Sequence, residues 1–198
     1  LINSRGIQEN KIEVIYHFSS SEETPRPENH NKEIIYTGNL GIPQNIESFI
    51  KNLNNSSDQY KLKIYGSGSR YEDIKKMESE NINVNPYTDR FEILKHTKNS
   101  TFALVSLSSS LTVEGFPGKT FDYLKMNKIL IGYSNPLSGL ARFIEKYNVG
   151  INIDPENPDI DSALNNLKNL DEIYQNIEDV NLKYANLNTV SQKYLSLL

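Results

Sequence analysis

Residues 114–124 read Glu-Gly-Phe-Pro-Gly-Lys-Thr-Phe-Asp-Tyr-Leu, and the types and spacing in this stretch could do chemistry. An acidic residue in a loop broken by Gly and Pro is followed, eight positions on, by a second acidic residue on an expected helix. A helix start offers unpaired backbone N–H groups and the positive end of the peptide dipole, a ready seat for phosphate. Lys119 adds a full charge there, and Glu114 and Asp122 can accept hydrogen bonds from sugar hydroxyls. The layout suits a nucleotide diphosphate. It also suits an ordinary loop and helix start with Lys119 and Asp122 solvated, because both use the same chemistry.

Strands and helices must place these residues. Lys11 to Phe18 reads as a strand, and the Ser-, Glu-, Pro- and Asn-rich run from Ser19 to Asn31 reads as a linker. Strand signals then recur at Glu33–Thr37, Lys61–Tyr65, Ile82–Val84, Thr101–Leu107, Ile129–Ile131 and Val149–Ile153. Helical patterns fall between them. The first is opened by Pro43 and buries Ile46, Phe49, Ile50 and Leu53; others run through Tyr71, Ile74 and Met77, from Asp89 through Phe91, Ile93 and Leu94, and from Pro136 through Leu140 and Ile144. From Asp159 onward the pattern is helical.

Such alternation predicts an α/β fold, a Rossmann-like parallel sheet with helices on both faces. Ligands of such sheets sit at the carboxyl ends of the strands. Gly38–Gly41, Gly66–Gly68, Asn85–Tyr87, Ser106–Gly118 and Gly132–Asn135 all fall there, so the candidate chemistry converges on one rim.

Composition narrows the partners. The 198 residues carry a net charge of -4 with no basic stripe, which argues against a nucleic-acid partner. No apolar run approaches a membrane span of roughly 18 residues. With no cysteine, disulfides and thiolate metal sites are excluded. His17, His30 and His96 are scattered without ligand spacing. The chain starts at Leu1 in mid-pattern and is expected to be a fragment of a cytoplasmic protein.

The ordered motifs resemble the C-terminal, donor-nucleotide-binding half of a GT-B glycosyltransferase, closest to the retaining enzymes of family 4. Leu1 to Phe18 is similar to the close of that fold's N-terminal, acceptor-binding domain. Ile35-Tyr36-Thr37-Gly38-Asn39-Leu40-Gly41 resembles the first strand and glycine loop of its C-terminal domain, and Ile64-Tyr65-Gly66-Ser67-Gly68 the second strand. Glu114-Gly-Phe with Asp122-Tyr123-Leu124 looks like the family's Glu-x7-Glu motif, here with Asp in second place. The domains implied are residues 1–18 from the N-terminal domain, a linker at 19–31, the nucleotide-sugar-binding domain at 32–170 and a helical tail at 171–198.

By that resemblance Glu114 approaches the donor sugar and Asp122 the ribose. Backbone N–H groups of Phe116, Gly118, Lys119 and Thr120 hold the diphosphate, and Gly38, Asn39, Gly41, Gly66 and Tyr87 complete the nucleotide-sugar site. The catalytic pair is Glu114 and Lys119, with no cofactor and no metal. Implied partners are a nucleotide sugar, most simply UDP-linked, and a glycan or lipid-linked acceptor held by the N-terminal domain. The setting implied is bacterial surface-polysaccharide assembly, with the full-length protein able to associate peripherally with the inner face of the plasma membrane.

The chain departs from the family where an Arg and a Lys normally reach the diphosphate, just after the first strand. Asn39 and Gln44-Asn45 stand there, leaving Lys119, with Arg142 or Arg70, to compensate. A sugar-nucleotide epimerase half and a non-catalytic partner subunit remain as other readings. Asp159-Ile160-Asp161 matches a metal-binding Asp-x-Asp but reads as an acidic first helical turn. Gly66-Ser67-Gly68 lacks the third glycine of a dinucleotide fingerprint. Tyr87 could stack on a base, although packing or exposure explains it as well.

Overall fold

A computed structural model describes residues 23–27, 30–57, 59–112, 114–115, 117–185 and 187–196. The expected strand at 11–18 and Phe116, expected at the diphosphate, lie outside the described residues. Six strands form one sheet: β1 (Glu33–Asn39), β2 (Lys61–Ser67), β3 (Ile82–Pro86), β4 (Phe102–Ser106), β5 (Ile129–Tyr133) and β6 (Gly150–Ile153). Their order is β3-β2-β1-β4-β5-β6, and every pairing is parallel. This is the expected α/β, Rossmann-like architecture. Strand order reverses between β1 and β4, where ligands of such sheets bind.

Helices connect the strands as the periodicity predicts. α1 (Ile46–Asn54) buries Ile46, Phe49, Ile50 and Leu53, the four residues its spacing selects. It starts later than Pro43, however. Ile42–Gln44 form a 3-10 turn, and Asn45 takes a left-handed conformation at φ 49° before the helix begins. α2 (Tyr71–Lys75) is tied to α1 by Arg70 and Glu47, at 2.6 Å, and α6 (Ile160–Asn165) through Asp161, which accepts from the Ser57 amide at 2.9 Å. α3 (Arg90–Asn99) and α4 (Lys119–Lys125) adjoin across a cavity; α4 meets α5 (Gly139–Tyr147) through the Phe121–Phe143 ring contact. Both α4 and α5 pack on α7 (Leu170–Val180). A π-helical turn, Asn181–Ala185, leads into α8 (Leu187–Leu195). Among the described residues no helix is long and apolar enough to cross a membrane.

Two stretches are more engaged than composition suggests. In the run read as a linker, Thr24 is buried with its hydroxyl on the Met126 carbonyl at 2.5 Å, and both Arg26 and His30 lie against the Tyr174 ring. α7, which begins where the tail is expected, puts Ile173, Tyr174, Ile177 and Val180 into the core. Core packing thus continues past residue 170.

Lys128 is fully buried at the end of the sheet opposite the rim. Its ammonium donates to the carbonyls of Lys98 (2.9 Å) and Ser100 (2.7 Å), closing the end of α3. Desolvation pulls its pKa down to about 8, against an opposing pull from Glu33. Lys128→Met leaves two carbonyls unpaired and should cost about 1–3 kcal/mol in urea unfolding. The sign of the pH effect follows from the lowered folded pKa. The native state sheds this proton before the unfolded chain does, so stability rises with pH between about 8 and 10, and Lys128→Met should flatten that rise.

Candidate functional site

β1 and β4 run in register at two pairs, Ile34 with Phe102 and Ile35 with Ala103, and then part toward their carboxyl ends. Beyond them Thr37 finds its partners on α4. The Tyr123 hydroxyl accepts from the Thr37 amide at 2.8 Å and bonds the Thr37 hydroxyl at 2.9 Å, while Lys119 Nζ donates to the Thr37 carbonyl at 2.8 Å. Burial raises the Tyr123 pKa to about 12, which keeps this hydroxyl protonated. Lys119 Nζ also sits 4.1 Å from the centre of the Tyr36 ring. Desolvation lowers its pKa to about 8, so at neutral pH the ammonium still carries its charge.

Gly38 makes room for this reach. It has φ +120°, and a Cβ there would come within 3.1 Å of Lys119 Nζ. Gly38 pairs in register with Gly66, whose own Cβ would strike the Gly38 carbonyl at 2.5 Å. An ammonium has three donors. One serves Thr37, and the others have no hydrogen-bond partner among the described residues.

On the α3 side of α4 lies a cavity of about 190 Å³, lined by Thr37, Tyr87, Arg90, Lys119, Asp122 and Tyr123 with apolar residues beneath. Tyr87 is 55% exposed, so it is a wall of this cavity and not part of the core. Arg90 was not singled out by sequence. Its signal was Asp89, whose carboxylate caps α3 by accepting from the amides of Phe91 (2.9 Å) and Glu92 (3.1 Å) and so sets Arg90 on the helix's first turn at the rim.

On the α5 side lies Glu114, outside the lining of that cavity. Its carboxylate is ion-paired to Arg142 of α5 through Oε2 and Nη2. Between the two, a Cβ on Gly115 or Gly118 would meet nothing within 4 Å, so the backbone entering α4 borders open space. The amides of Gly118 and Lys119 have no partner among the described residues. Thr120 differs from expectation. Its N–H is donated to the Pro117 carbonyl at 3.0 Å, and the residue is fully buried, so the turn has already used that amide.

The other expected residues lie further along the rim. Asn39 donates to Gln44 Oε1 at 3.2 Å, which also accepts from the Gly41 amide at 3.1 Å; the two polar replacements therefore bind each other and brace the loop. Arg70 is held between Glu47 and Asp73. Lys119 has no carboxylate within ion-pair reach among the described residues. Asp159 caps α6 and Asp161 accepts from Ser56 and Ser57, in line with an acidic first turn. His96 stacks on Tyr65 at 4.6 Å. No group of three His, Cys, Asp or Glu sized for a metal occurs among the described residues.

The model of the glycosyl transferases group 1 family matches residues 19–184. The chain belongs to that family. No curated protein matches it by sequence. Among solved structures, the glycosyltransferase fold is shared with the lipopolysaccharide outer core galactosyltransferase WaaB, at TM-score 0.68 and 17% identity over 100% of this chain and 59% of that one. A variant of TarM from S. aureus, in complex with fondaparinux, alpha-GlcNAc-glycerol and UDP, matches at TM-score 0.60 and 19% identity over 95% of this chain and 40% of TarM. The catalytic domain of cholesterol-alpha-glucosyltransferase from Helicobacter pylori matches at TM-score 0.57 and 17% identity, covering 77% of this chain and 99% of that one. The chain thus spans 59% of WaaB and 40% of TarM, with the fold of a GT-B C-terminal domain.

The seat of Lys119 in this glycosyltransferase domain can be read directly. A 13C NMR titration of its ε-carbon should give a midpoint near 8. Gly38→Ala puts a methyl 3.1 Å from Nζ and should move that midpoint back toward an ordinary lysine, as the ammonium is pushed into water. An unmoved midpoint would show that Gly38 does not control the seat.

Proposed function

We propose that this chain is the donor-binding part of a glycosyltransferase that moves a sugar from a nucleoside-diphosphate sugar to a glycan or lipid-linked acceptor. The observation that carries the reading is Lys119. It is a desolvated ammonium at the carboxyl end of β1, with the Asp122 cavity on one side and Glu114 on the other. In the proposed arrangement the diphosphate lies against Lys119 and the first amides of α4. The nucleoside enters the cavity of Tyr87, Arg90 and Asp122, and the sugar meets Glu114. Glu114 accepts hydroxyls of the transferred sugar, and Lys119 meets the charge that develops on the departing diphosphate, without a metal ion.

A UDP-hexose or UDP-N-acetylhexosamine is the proposed donor, supported by the TarM complex with UDP. WaaB, a lipopolysaccharide enzyme, supports a place in surface-polysaccharide synthesis. Because the chain spans part of these enzymes, we propose that acceptor binding depends on a further domain and that this chain alone binds nucleotide without turnover.

A second reading, a non-catalytic partner subunit, is favoured by one observation. Asn39 and Gln44 bond each other and Arg70 is held by carboxylates, leaving Lys119 with little help in stabilising a leaving group. Turnover of UDP-sugar by the full-length protein, with hydrolysis to UDP as the minimal reaction, decides between the two. Tight binding without turnover selects the partner subunit.

Calorimetry with UDP, GDP and ADP at millimolar concentration tests the site, and silence with all three defeats the proposal. Lys119→Ala should weaken nucleotide binding by about 1–3 kcal/mol. The pH dependence has a fixed sign. The ammonium is charged below about 8 and lost above it, so wild-type affinity should fall as pH passes 8. Lys119→Ala should show no such fall.

A further inference from the structure

Glu114 is held at two points by α5. The first point is its backbone. A Cβ on Gly139, the opening residue of α5, would lie 1.9 Å from the Glu114 carbonyl oxygen and 3.0 Å from its Cα, so the loop rests directly on a bare helical turn. That turn is itself anchored. The Ser138 hydroxyl caps α5 by accepting from the Ala141 amide at 3.1 Å and bonds Ser134 at 2.9 Å, and Ser134 bonds Asn152 at 2.7 Å. Asn135 adds a bond to the Ser109 carbonyl at 3.0 Å, joining the loops after β4 and β5.

The second point is the carboxylate. One turn along α5, the Arg142 guanidinium takes Glu114 Oε2. Both side chains face water, with 84% of Glu114 and 49% of Arg142 exposed. A pair this open contributes little to stability. Its effect is geometric. An unrestrained glutamate on a loop samples several rotamers, and fixing a long side chain costs conformational entropy. With Arg142 holding Oε2, part of that cost is met before any ligand arrives, and Oε1 has no partner among the described residues.

We infer that Arg142 is a positioning residue for the donor sugar: it holds the Glu114 carboxylate aimed, so that this chain distinguishes a nucleotide sugar from the bare nucleotide. The inference rests on the donor-binding reading above. Arg142 itself need not touch the nucleotide, since its guanidinium is engaged with Glu114 on the α5 side of the loop.

The experiment measures the affinity of the chain for UDP and for UDP-glucose and UDP-N-acetylglucosamine, and takes the ratio for each sugar. In the wild type the better sugar should bind more tightly than UDP. Arg142→Ala should leave UDP affinity unchanged and reduce that sugar advantage several-fold, with Arg142→Lys recovering part of it. In a Glu114→Gln background, Arg142→Ala should change nothing further, because its target has gone. A wild-type sugar advantage that survives Arg142→Ala overturns the inference while leaving nucleotide binding intact. So does a loss of UDP and UDP-sugar binding in equal proportion, which marks a general structural role. If the wild type binds UDP and neither sugar better than UDP, Glu114 does not read the sugar and the inference falls. If it binds neither UDP nor UDP-sugar, the donor-binding reading falls with it.

Discussion

The separation of β1 from β4 is the constraint on which the rest of the structure depends. Two parallel strands that part after Ile35 leave the N–H and carbonyl of Thr37 without a strand partner on that side. Buried backbone groups left unpaired cost as much as a lost hydrogen bond or more. α4 meets both demands, with the Tyr123 hydroxyl on the amide and the Lys119 ammonium on the carbonyl. The crevice that defines a ligand site in this topology is therefore closed at its base by two side chains of one helix. One of them brings a charge.

That arrangement puts a full positive charge into the crevice of a rim with few cations. Lys119 belongs to α4, yet its ammonium lies at the end of β1, beside Gly38 and over Tyr36. This is the neighbourhood where the resemblance to family-4 enzymes leads one to expect an Arg and a Lys from the β1 loop. Asn39 and Gln44 instead spend their polar atoms on each other and on the Gly41 amide. The charge arrives from the other half of the sheet, across a glycine that cannot obstruct it. Contact with an aromatic face contributes about 0.5–2 kcal/mol toward holding a lysine there, depending on how dry the site is.

The sheet and its helices were legible in the sequence because each obeys a local period. Ile46, Phe49, Ile50 and Leu53 recur at helical spacing and are all buried, and the continuous apolar run at β4 is covered on both faces. Boundaries were less legible where a single residue's backbone decides. Pro43 marks the start of α1 by composition, but left-handed Asn45 delays it. Thr24, Arg26 and His30 sit in a run that reads as a linker, since their partners Met126 and Tyr174 are about a hundred or more residues away. In the candidate site, Glu114, Lys119 and Asp122 were visible from type and spacing. What could not be read was which side each would face. The division into an Asp122 cavity and a Glu114–Arg142 edge comes from α4 standing between α3 and α5.

The substitution of Asp for Glu at the second acidic position makes sense within that division. Asp122 lies one turn below Lys119 on α4, in the wall of a cavity that Tyr87 and Arg90 also line. A carboxylate on a short stem stays close to its helix and leaves more of a cavity of about 190 Å³ open than a longer one would. Glu114 stands on a loop, and Arg142 of α5 holds the end of its longer stem. The shorter acid thus lines the enclosed side of α4, and the longer one stands on its open side, paired with an arginine.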